Sequence, residues 1–221
     1  MQVFNYVGMA YNYSNGGKDI AELTDDQVKR RIVDPPEYLT YLGYIMFPAA
    51  CLVGPVYEYS DFDQYLNRKG DYETIPSPLS AVLNEFGIFI GSVAVYGLTS
   101  KFNLAYVTTA AFAEEALWYK FIYIVINITH IELKYISAWS LGMMSMRAPG
   151  FTYNPSKNIR DKEGKVLKYD FGKVEQNSIY NFYFEPSIKR KAESWNVSVQ
   201  VALKRYIYEL VYNPKVQRDE K

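Results

Sequence analysis

The pair Trp195-Asn196 is the part of the chain whose residue types are best suited to chemistry. Steps of four residues from Asn196 reach Gln200, Lys204 and Tyr208, so a helix over this segment carries one polar face. The apolar residues share another face of the same helix: Val199, Leu203, Ile207 and Leu210. A side-chain amide hydrogen-bonds a polar substrate group without the cost of burying a charge. The polar face predicts either a solvent-facing surface or the lining of a cavity.

An alternative role for Asn196 is to cap the helix that follows it. Asparagine is preferred at the N-cap, where its side-chain oxygen accepts a hydrogen bond from a backbone amide of the first turn. The residue types leave both roles open, and one asparagine can fill both.

Composition excludes several classes of function. The 221 residues include 24 basic and 24 acidic side chains, so the net charge argues against a nucleic-acid partner. Cys51 is the single cysteine and His130 the single histidine, which excludes an internal disulfide and a cysteine- or histidine-rich metal site. We therefore expect no metal and no bound cofactor. The length suits one large domain.

The elements that must position Asn196 are four apolar blocks of sequence. These blocks are 39–57, Leu79–Thr99, 102–128 and 135–146. The first has no charged residue, and a helix of that length measures roughly 28 Å, close to the thickness of a bilayer core. Pro48 and Pro55 would kink or end this helix, although membrane helices tolerate proline when neighbours repair the hydrogen bonds. The second contains only Glu85, whereas the third contains Glu114, Glu115 and Lys120, which must lie near a membrane end or face the protein interior. The fourth is too short to span unless it joins its neighbours.

These blocks predict an all-α, polytopic transmembrane protein that forms a single membrane-embedded region over residues 1–221. Residues 154–191 form a basic polar loop within it, and an excess of Lys and Arg is typical of cytoplasmic loops. A soluble all-α domain is the alternative, because helices that are apolar all round also occur in large soluble cores. Four long apolar blocks would, however, need more covering surface than the polar loops provide.

Three separated stretches together resemble the membrane-bound O-acyltransferase family, and within it the lysophospholipid acyltransferase branch. Residues 52–62 read Leu-Val-Gly-Pro-Val-Tyr-Glu-Tyr-Ser-Asp-Phe and resemble the family's Gly-Pro-x-x-x-Tyr-x-Asp-Tyr/Phe stretch. Lys134-Tyr135, Ala138-Trp139 and Gly150-Phe151 are similar to its Lys-Tyr-Tyr-x-x-Trp and Gly-Phe pattern. The third stretch runs from Trp195-Asn196 to Tyr208. Their order and spacing over roughly residues 3–210 make the joint match specific.

The resemblance implies transfer of a fatty acyl chain from acyl-CoA to a lysophospholipid hydroxyl, as in phospholipid remodelling. It assigns the catalytic role to Asn196 and substrate contacts to Trp195, Lys204 and Tyr208. Acyl-CoA is then a co-substrate rather than a cofactor. The implied partners are membrane lipids, and the implied location is the membrane of the endoplasmic reticulum.

The sequence also departs from the family pattern. The family places a catalytic histidine some tens of residues after the asparagine, whereas no histidine follows Asn196 here. Ala202, Lys204 and Met143 stand where the family has Trp, Arg and Glu. We therefore expect the chain to be incomplete at both ends and inactive alone, with His130 in a structural role. The alternatives are an inactive scaffold or lipid-binding protein of the same fold, and a small transporter whose pathway is lined by the polar face.

Overall fold

Helices joined by loops make up most of the regular structure. The computed structural model describes residues 2–50 and 54–211. The helices are, in chain order, α1 (Gln2–Gly16), α2 (Asp25–Arg30), α3 (Tyr38–Ile45), α4 (Tyr59–Leu66), α5 (Leu79–Thr99), α6 (Ala110–Glu114), α7 (Leu117–Arg147), α8 (Ile179–Phe184), α9 (Ile188–Glu193), α10 (Val197–Leu203) and α11 (Glu209–Val211). A π-helical turn, Lys204–Tyr208, joins α10 to α11, and short 3-10 turns lie at Ile20–Glu22, Gly70–Tyr72, Leu104–Thr108 and Pro155–Lys157. The mainly helical architecture confirms the predicted all-α class.

A two-stranded antiparallel hairpin lies inside the predicted basic loop 154–191. Strand β1 (Ile159–Arg160) pairs with β2 (Val166–Lys168), with Ile159 opposite Lys168. Helix α8 and part of α9 occupy the C-terminal half of the same loop. The segment predicted from its charge therefore has local structure of its own.

The two longest helices, α5 and α7, form an antiparallel pair. Three polar contacts join them along their length: an ion pair between Glu85 and Arg147, a hydrogen bond of 2.9 Å from Ser137 Oγ to Ser92 Oγ, and a contact of 2.8 Å between Thr99 Oγ1 and His130 Nδ1. The imidazole of His130 also stacks on the ring of Tyr96, with the ring centroids 4.2 Å apart. Glu85, the one charge in its apolar block, is thus buried and paired with the partly buried Arg147. His130 lies within α7 rather than at a helix end, and it contacts α5.

Helix α5 is suited to crossing a membrane. Among the described residues it is the one helix that is long and apolar enough to do so. Its large apolar side chains point outwards rather than into the protein: Leu79, Leu83, Phe86, Ile90, Val93, Val95 and Leu98 are all exposed. An exposed surface of this kind requires lipid or protein to cover it. The predicted block Leu79–Thr99 is confirmed as one helix, but the described helices do not confirm a polytopic arrangement.

The prediction of a spanning helix over 39–57 is wrong. Helix α3 ends at Ile45, and a turn follows that contains Pro48. Proline has no amide hydrogen to donate within a helix, and its ring clashes with the preceding turn. Residues 51–53, which include Cys51 and the first two residues of the 52–62 stretch, lie outside the described residues.

The blocks 102–128 and 135–146 are divided differently from the prediction. Thr109 ends the first part of the third block, since its hydroxyl accepts a hydrogen bond of 3.2 Å from the amide of Phe112 and begins α6. The remainder joins the fourth block in α7, which at 31 residues measures about 46 Å. The fourth block thus joins its neighbour, as its length requires. The N-terminal half of α7 is largely exposed, whereas its C-terminal half packs into the protein.

An aromatic core brings the first resembling stretch to the second. Phe151 is fully buried, and its ring centroid lies 5.4 Å from that of Tyr57 and 5.2 Å from that of Tyr65. Tyr72 Oη donates a hydrogen bond of 2.8 Å to the backbone carbonyl of Phe151. Aromatic pairs at these distances contribute beyond the area that they bury. The loop after α7 is therefore held against the segment between α3 and α4.

The glycine before Phe151 has no room for a side chain. Gly150 has a φ of +80°, and a Cβ there would lie 2.4 Å from Ile75 Cγ2. We expect Gly150→Ala to lower the free energy of unfolding by more than the roughly 1–2 kcal/mol that a left-handed conformation costs, because the clash adds to that cost. Gly164→Ala is the matched control, since Gly164 has a φ of +86° and nothing within 4 Å. Equal losses in thermal unfolding would contradict the packing described here.

Candidate active site

Trp195 and Asn196 lie between α9 and α10, and a second segment of backbone holds them on both sides. The amide of Ser178 donates a hydrogen bond of 2.9 Å to the carbonyl of Ser194, and the amide of Val197 donates one of 2.7 Å to the carbonyl of Gln176. Asn196 itself adopts a left-handed conformation with φ of 51° and ψ of 46°. Asparagine is among the few residues other than glycine that occupy this region readily. The chain therefore turns sharply at Asn196 before α10 begins.

The side chain of Asn196 does not cap α10. It stands at the N-cap position but accepts no hydrogen bond from the helix. Its Oδ1 atom instead accepts a hydrogen bond of 2.8 Å from Nε2 of Gln176. An N-cap residue normally has extended backbone angles, which the left-handed conformation excludes. Of the two roles that the residue types allowed, capping is not the one seen here.

Trp195 joins the second resembling stretch to the third. Its ring centroid lies 4.7 Å from that of Trp139 and 4.6 Å from that of Phe182. Tyr135 is 6.4 Å away and completes an aromatic cluster on one side of α7. The structure thus places Trp195 in a packing contact, and its contact with substrate stays a prediction.

The residues of the polar face predicted for the C-terminal helix do not form one continuous surface. Gln200 folds back, and its Nε2 donates a hydrogen bond of 2.5 Å to the carbonyl of Ala192 and another to that of Trp195. Lys204 and Tyr208 lie on the exposed side of the π-helical turn. The structure therefore does not bring these two predicted substrate contacts next to Asn196.

The residues that pack into the protein from this segment are not those of the apolar face identified from the sequence. The buried residues of this segment are Ser198, Ala202 and Tyr206, whereas Leu203 and Ile207 are exposed. Small residues allow close approach to α1, and a Cβ on Gly8 would lie 2.8 Å from the Tyr206 ring. In lipid, packing and hydrogen bonds rather than apolar burial drive helix contacts, so apolar side chains can face outwards. The side chain of Leu210 lies outside the described part of the chain.

Glu58 connects the first resembling stretch to the third. Its Oε2 accepts a hydrogen bond of 3.0 Å from Asn12 Nδ2 and another from Tyr206 Oη, and its Oε1 accepts one of 2.8 Å from Arg205 Nη1. Burial, together with the Glu58 carboxylate, raises the pKa of the Tyr206 hydroxyl above its usual range, so this hydroxyl stays protonated and donates. Arg30 Nη1 also donates to Tyr206 Oη, at 3.3 Å. Sequence reasoning missed Glu58, although it lies within the stretch 52–62.

A cavity of about 280 Å³ lies beside α10. The first stretch, the basic loop and α10 all contribute to its lining, which includes the charged residues Glu58, Asp61, Lys157, Lys173, Glu175 and Arg205. Lys173 Nζ lies 3.0 Å from Asp61 Oδ1. Burial nevertheless raises the pKa of Asp61 above its usual value. Because Val197 and Ser198 line the cavity directly after Asn196, the polar space adjoins the candidate catalytic residue.

Comparison with known proteins identifies the family that the three stretches resemble. A family model described as "MBOAT, membrane-bound O-acyltransferase family" matches residues 3–218. "Lysophospholipid acyltransferase" of Schizosaccharomyces pombe is 26% identical over 209 residues, covering 90% of this chain and 40% of the relative. "Lysophospholipid acyltransferase 1" of Arabidopsis thaliana is 26% identical over 216 residues, covering 95% and 46%. "Lysophospholipid acyltransferase 5" of Rattus norvegicus is 24% identical over 209 residues, covering 91% and 41%. The chain spans less than half the length of these relatives.

Proposed function

Since this chain belongs to the membrane-bound O-acyltransferase family, we propose that it acts in the transfer of a fatty acyl group from acyl-CoA to the free hydroxyl of a lysophospholipid. The observation that carries the proposal is the arrangement of the three resembling stretches. Trp139 contacts Trp195, directly before Asn196, and Glu58 bonds to Tyr206 at the other end of the same segment, so both of the other stretches pack against the segment that carries Asn196. The similarity to enzymes named lysophospholipid acyltransferases supports the lipid acceptor.

The role that we assign to Asn196 is to stabilise charge on the thioester carbonyl. In the reaction, the acceptor oxygen forms a bond to the carbonyl carbon and loses its proton, and the carbon–sulfur bond breaks. The sulfur of coenzyme A leaves as the thiolate and takes up a proton. Negative charge develops on the carbonyl oxygen during the attack, and a fixed amide donor stabilises that charge without rearranging. A neutral donor suits this place because no charge has to be buried.

The surroundings of Asn196 suggest where the polar parts of the substrates bind. Both substrates carry phosphate groups, and Lys157, Lys173 and Arg205 line the neighbouring cavity. Lys173 and Arg205 are paired with Asp61 and Glu58, so Lys157 is the cation to which we assign a phosphate of the substrate. The exposed Lys204 and Tyr208 are proposed contacts to lipid headgroups outside it, and Trp195 is a proposed contact near the reacting groups.

We assign the chain to one membrane-embedded unit whose basic loop 154–191 faces the cytoplasm, in the membrane of the endoplasmic reticulum. The family is membrane-bound, and the outward-facing apolar side chains of α5 support insertion in lipid. The excess of basic residues in the loop supports its orientation.

Membrane insertion predicts the behaviour of the protein in extraction. The apolar surface of α5 is expected to keep the protein in the membrane pellet in high salt and in alkaline carbonate, and to release it in detergent. Fractionation followed by immunoblotting measures this. Recovery of a soluble monomer without detergent would contradict insertion.

The proposed acceptor is tested by comparing hydroxyl compounds at equal concentration. Because the chain alone is expected to be inactive, the assay uses membranes that contain the product of the gene. These should transfer label from acyl-CoA to a lysophospholipid at a higher rate than to a diacylglycerol or a sterol. A lysophospholipid rate no higher than the rates with those two acceptors would reject the assignment of substrate class. Membranes of cells that lack the gene provide the background.

A further inference from the structure

Gln176 is a buried polar residue that bonds to three successive residues at the start of α10. It lies in the loop between β2 and α8, and only 1% of its surface is exposed. Its Nε2 donates to Asn196 Oδ1 at 2.8 Å, and its Oε1 accepts from Ser198 Oγ at 2.5 Å. Its backbone carbonyl accepts from the amide of Val197 at 2.7 Å. Gln176 belongs to none of the stretches that resemble the family.

These bonds determine which atom of the Asn196 amide, Oδ1 or Nδ2, faces Gln176. Within the described part of the chain, Gln176 is the hydrogen-bond partner of that amide, because the side chain makes no bond to its own helix. With Oδ1 engaged by Gln176, the Nδ2 hydrogens are left to face a substrate. Ser198 Oγ donates to Oε1 of Gln176, which leaves the Nε2 group to donate to Asn196. Without such a partner the terminal torsion of asparagine is broad, and the oxygen and nitrogen exchange places easily.

We propose that Gln176 is a positioning residue for the acyl transfer: it holds the Asn196 amide by its oxygen so that the NH₂ group faces the thioester carbonyl. The inference rests on the proposed function, because it concerns the donor that stabilises the developing oxyanion. A reversed amide would present its oxygen to that charge and would repel it. Gln176 itself touches no reacting atom.

The variant Gln176→Glu tests the orientation directly. The introduced side chain has nearly the same size and still accepts from Ser198, but when ionised it has no donor. It then accepts from Nδ2 of Asn196 and turns the amide round. We expect kcat to fall by about 10²-fold at pH 8, comparable to the loss of one oxyanion donor, with little change in KM.

The same variant should acquire a pH dependence that the wild type lacks. Burial raises the pKa of an introduced carboxyl, so it becomes protonated as the pH is lowered towards 5. The protonated group regains a donor for Asn196 Oδ1, and kcat should recover relative to the wild type at the same pH. A kcat equal to that of the wild type with a parallel pH profile would overturn the inference, as would a loss that stays the same at every pH.

A second variant separates positioning from general support of the fold. Gln176→Met removes both polar atoms and should lower kcat in the wild-type background but have no further effect in an Asn196→Gly background. Losses that multiply would overturn the inference while leaving the proposed function intact. If the wild type itself shows no transfer above background, the proposed function fails, and thermal unfolding of the same four proteins then decides the contact. Non-additive losses of melting temperature would support the contact between Gln176 and Asn196, and additive losses would contradict that contact.

Discussion

Replacing Glu58 by alanine is expected to lower the free energy of unfolding by about 1–3 kcal/mol, the usual cost of leaving a buried donor without its acceptor. The carboxylate accepts hydrogen bonds from Asn12, Arg205 and Tyr206. Asn12 and Tyr206 are buried, so their donors would lose a partner without gaining water. Arg205 would lose its nearer counter-ion, at 2.8 Å, and keep Asp26, at 3.4 Å.

Thermal or denaturant unfolding in detergent micelles measures this loss. The matched control is Glu193→Ala, because the ion pair of Glu193 with Lys189 is exposed and its atoms lie 4.0 Å apart. An exposed pair of that kind contributes about 0–1 kcal/mol. A Glu58→Ala variant no less stable than the control would show that Glu58 does not hold α1 and the C-terminal segment together.

Replacing Asn196 by glycine is expected to lower kcat by about 10²–10³-fold, corresponding to roughly 2.7–4 kcal/mol of lost transition-state stabilisation. Glycine adopts a φ near the observed 51° without strain, so the turn before α10 is kept. Alanine is a poorer choice, because a left-handed conformation costs it roughly 1–2 kcal/mol and would mix an effect on folding with an effect on chemistry.

Asn196→Asp provides the complementary variant. Aspartate tolerates the left-handed conformation and has the size of asparagine, but when ionised it has no donor. Both variants should melt close to the wild type and have little turnover, measured as kcat with protein amount matched by immunoblot. Near-normal turnover in Asn196→Gly would remove this residue from the reaction.

Helix α5 was predictable because its signal is local and continuous. Twenty-one residues contain one charge, so length and composition determine the element. The partner of that charge, Arg147, was not predictable, because an ion pair between residues 62 positions apart depends on how two helices pack. For the run 39–57 the local signal was misleading. Hydropathy described it as continuous, but Pro48 follows the last turn of α3.

In the candidate site, too, local patterns were predictable and long-range contacts were not. Residue types and spacing identified Trp195 and Asn196, because an indole and an amide at the start of a helix form a local pattern. Glu58 and Gln176 could not be identified from a local pattern. The bond of Glu58 to Tyr206 joins residues 148 positions apart, and that of Gln176 to Asn196 joins residues 20 positions apart. The exposure of the apolar face near Leu203 could not be predicted either. Periodicity shows that apolar residues share a face but not whether that face packs against protein or points outwards.

Acyl transfer by membranes containing the product of the gene tests the central claim most directly. The membranes are supplied with acyl-CoA labelled in its acyl chain, with or without a lysophospholipid, and the diacyl phospholipid formed is measured by mass spectrometry. We expect labelled product that requires the lysophospholipid and falls to background in Asn196→Asp membranes of equal protein content. Equal product from wild-type and Asn196→Asp membranes would contradict the assignment of an Asn196-dependent acyltransferase.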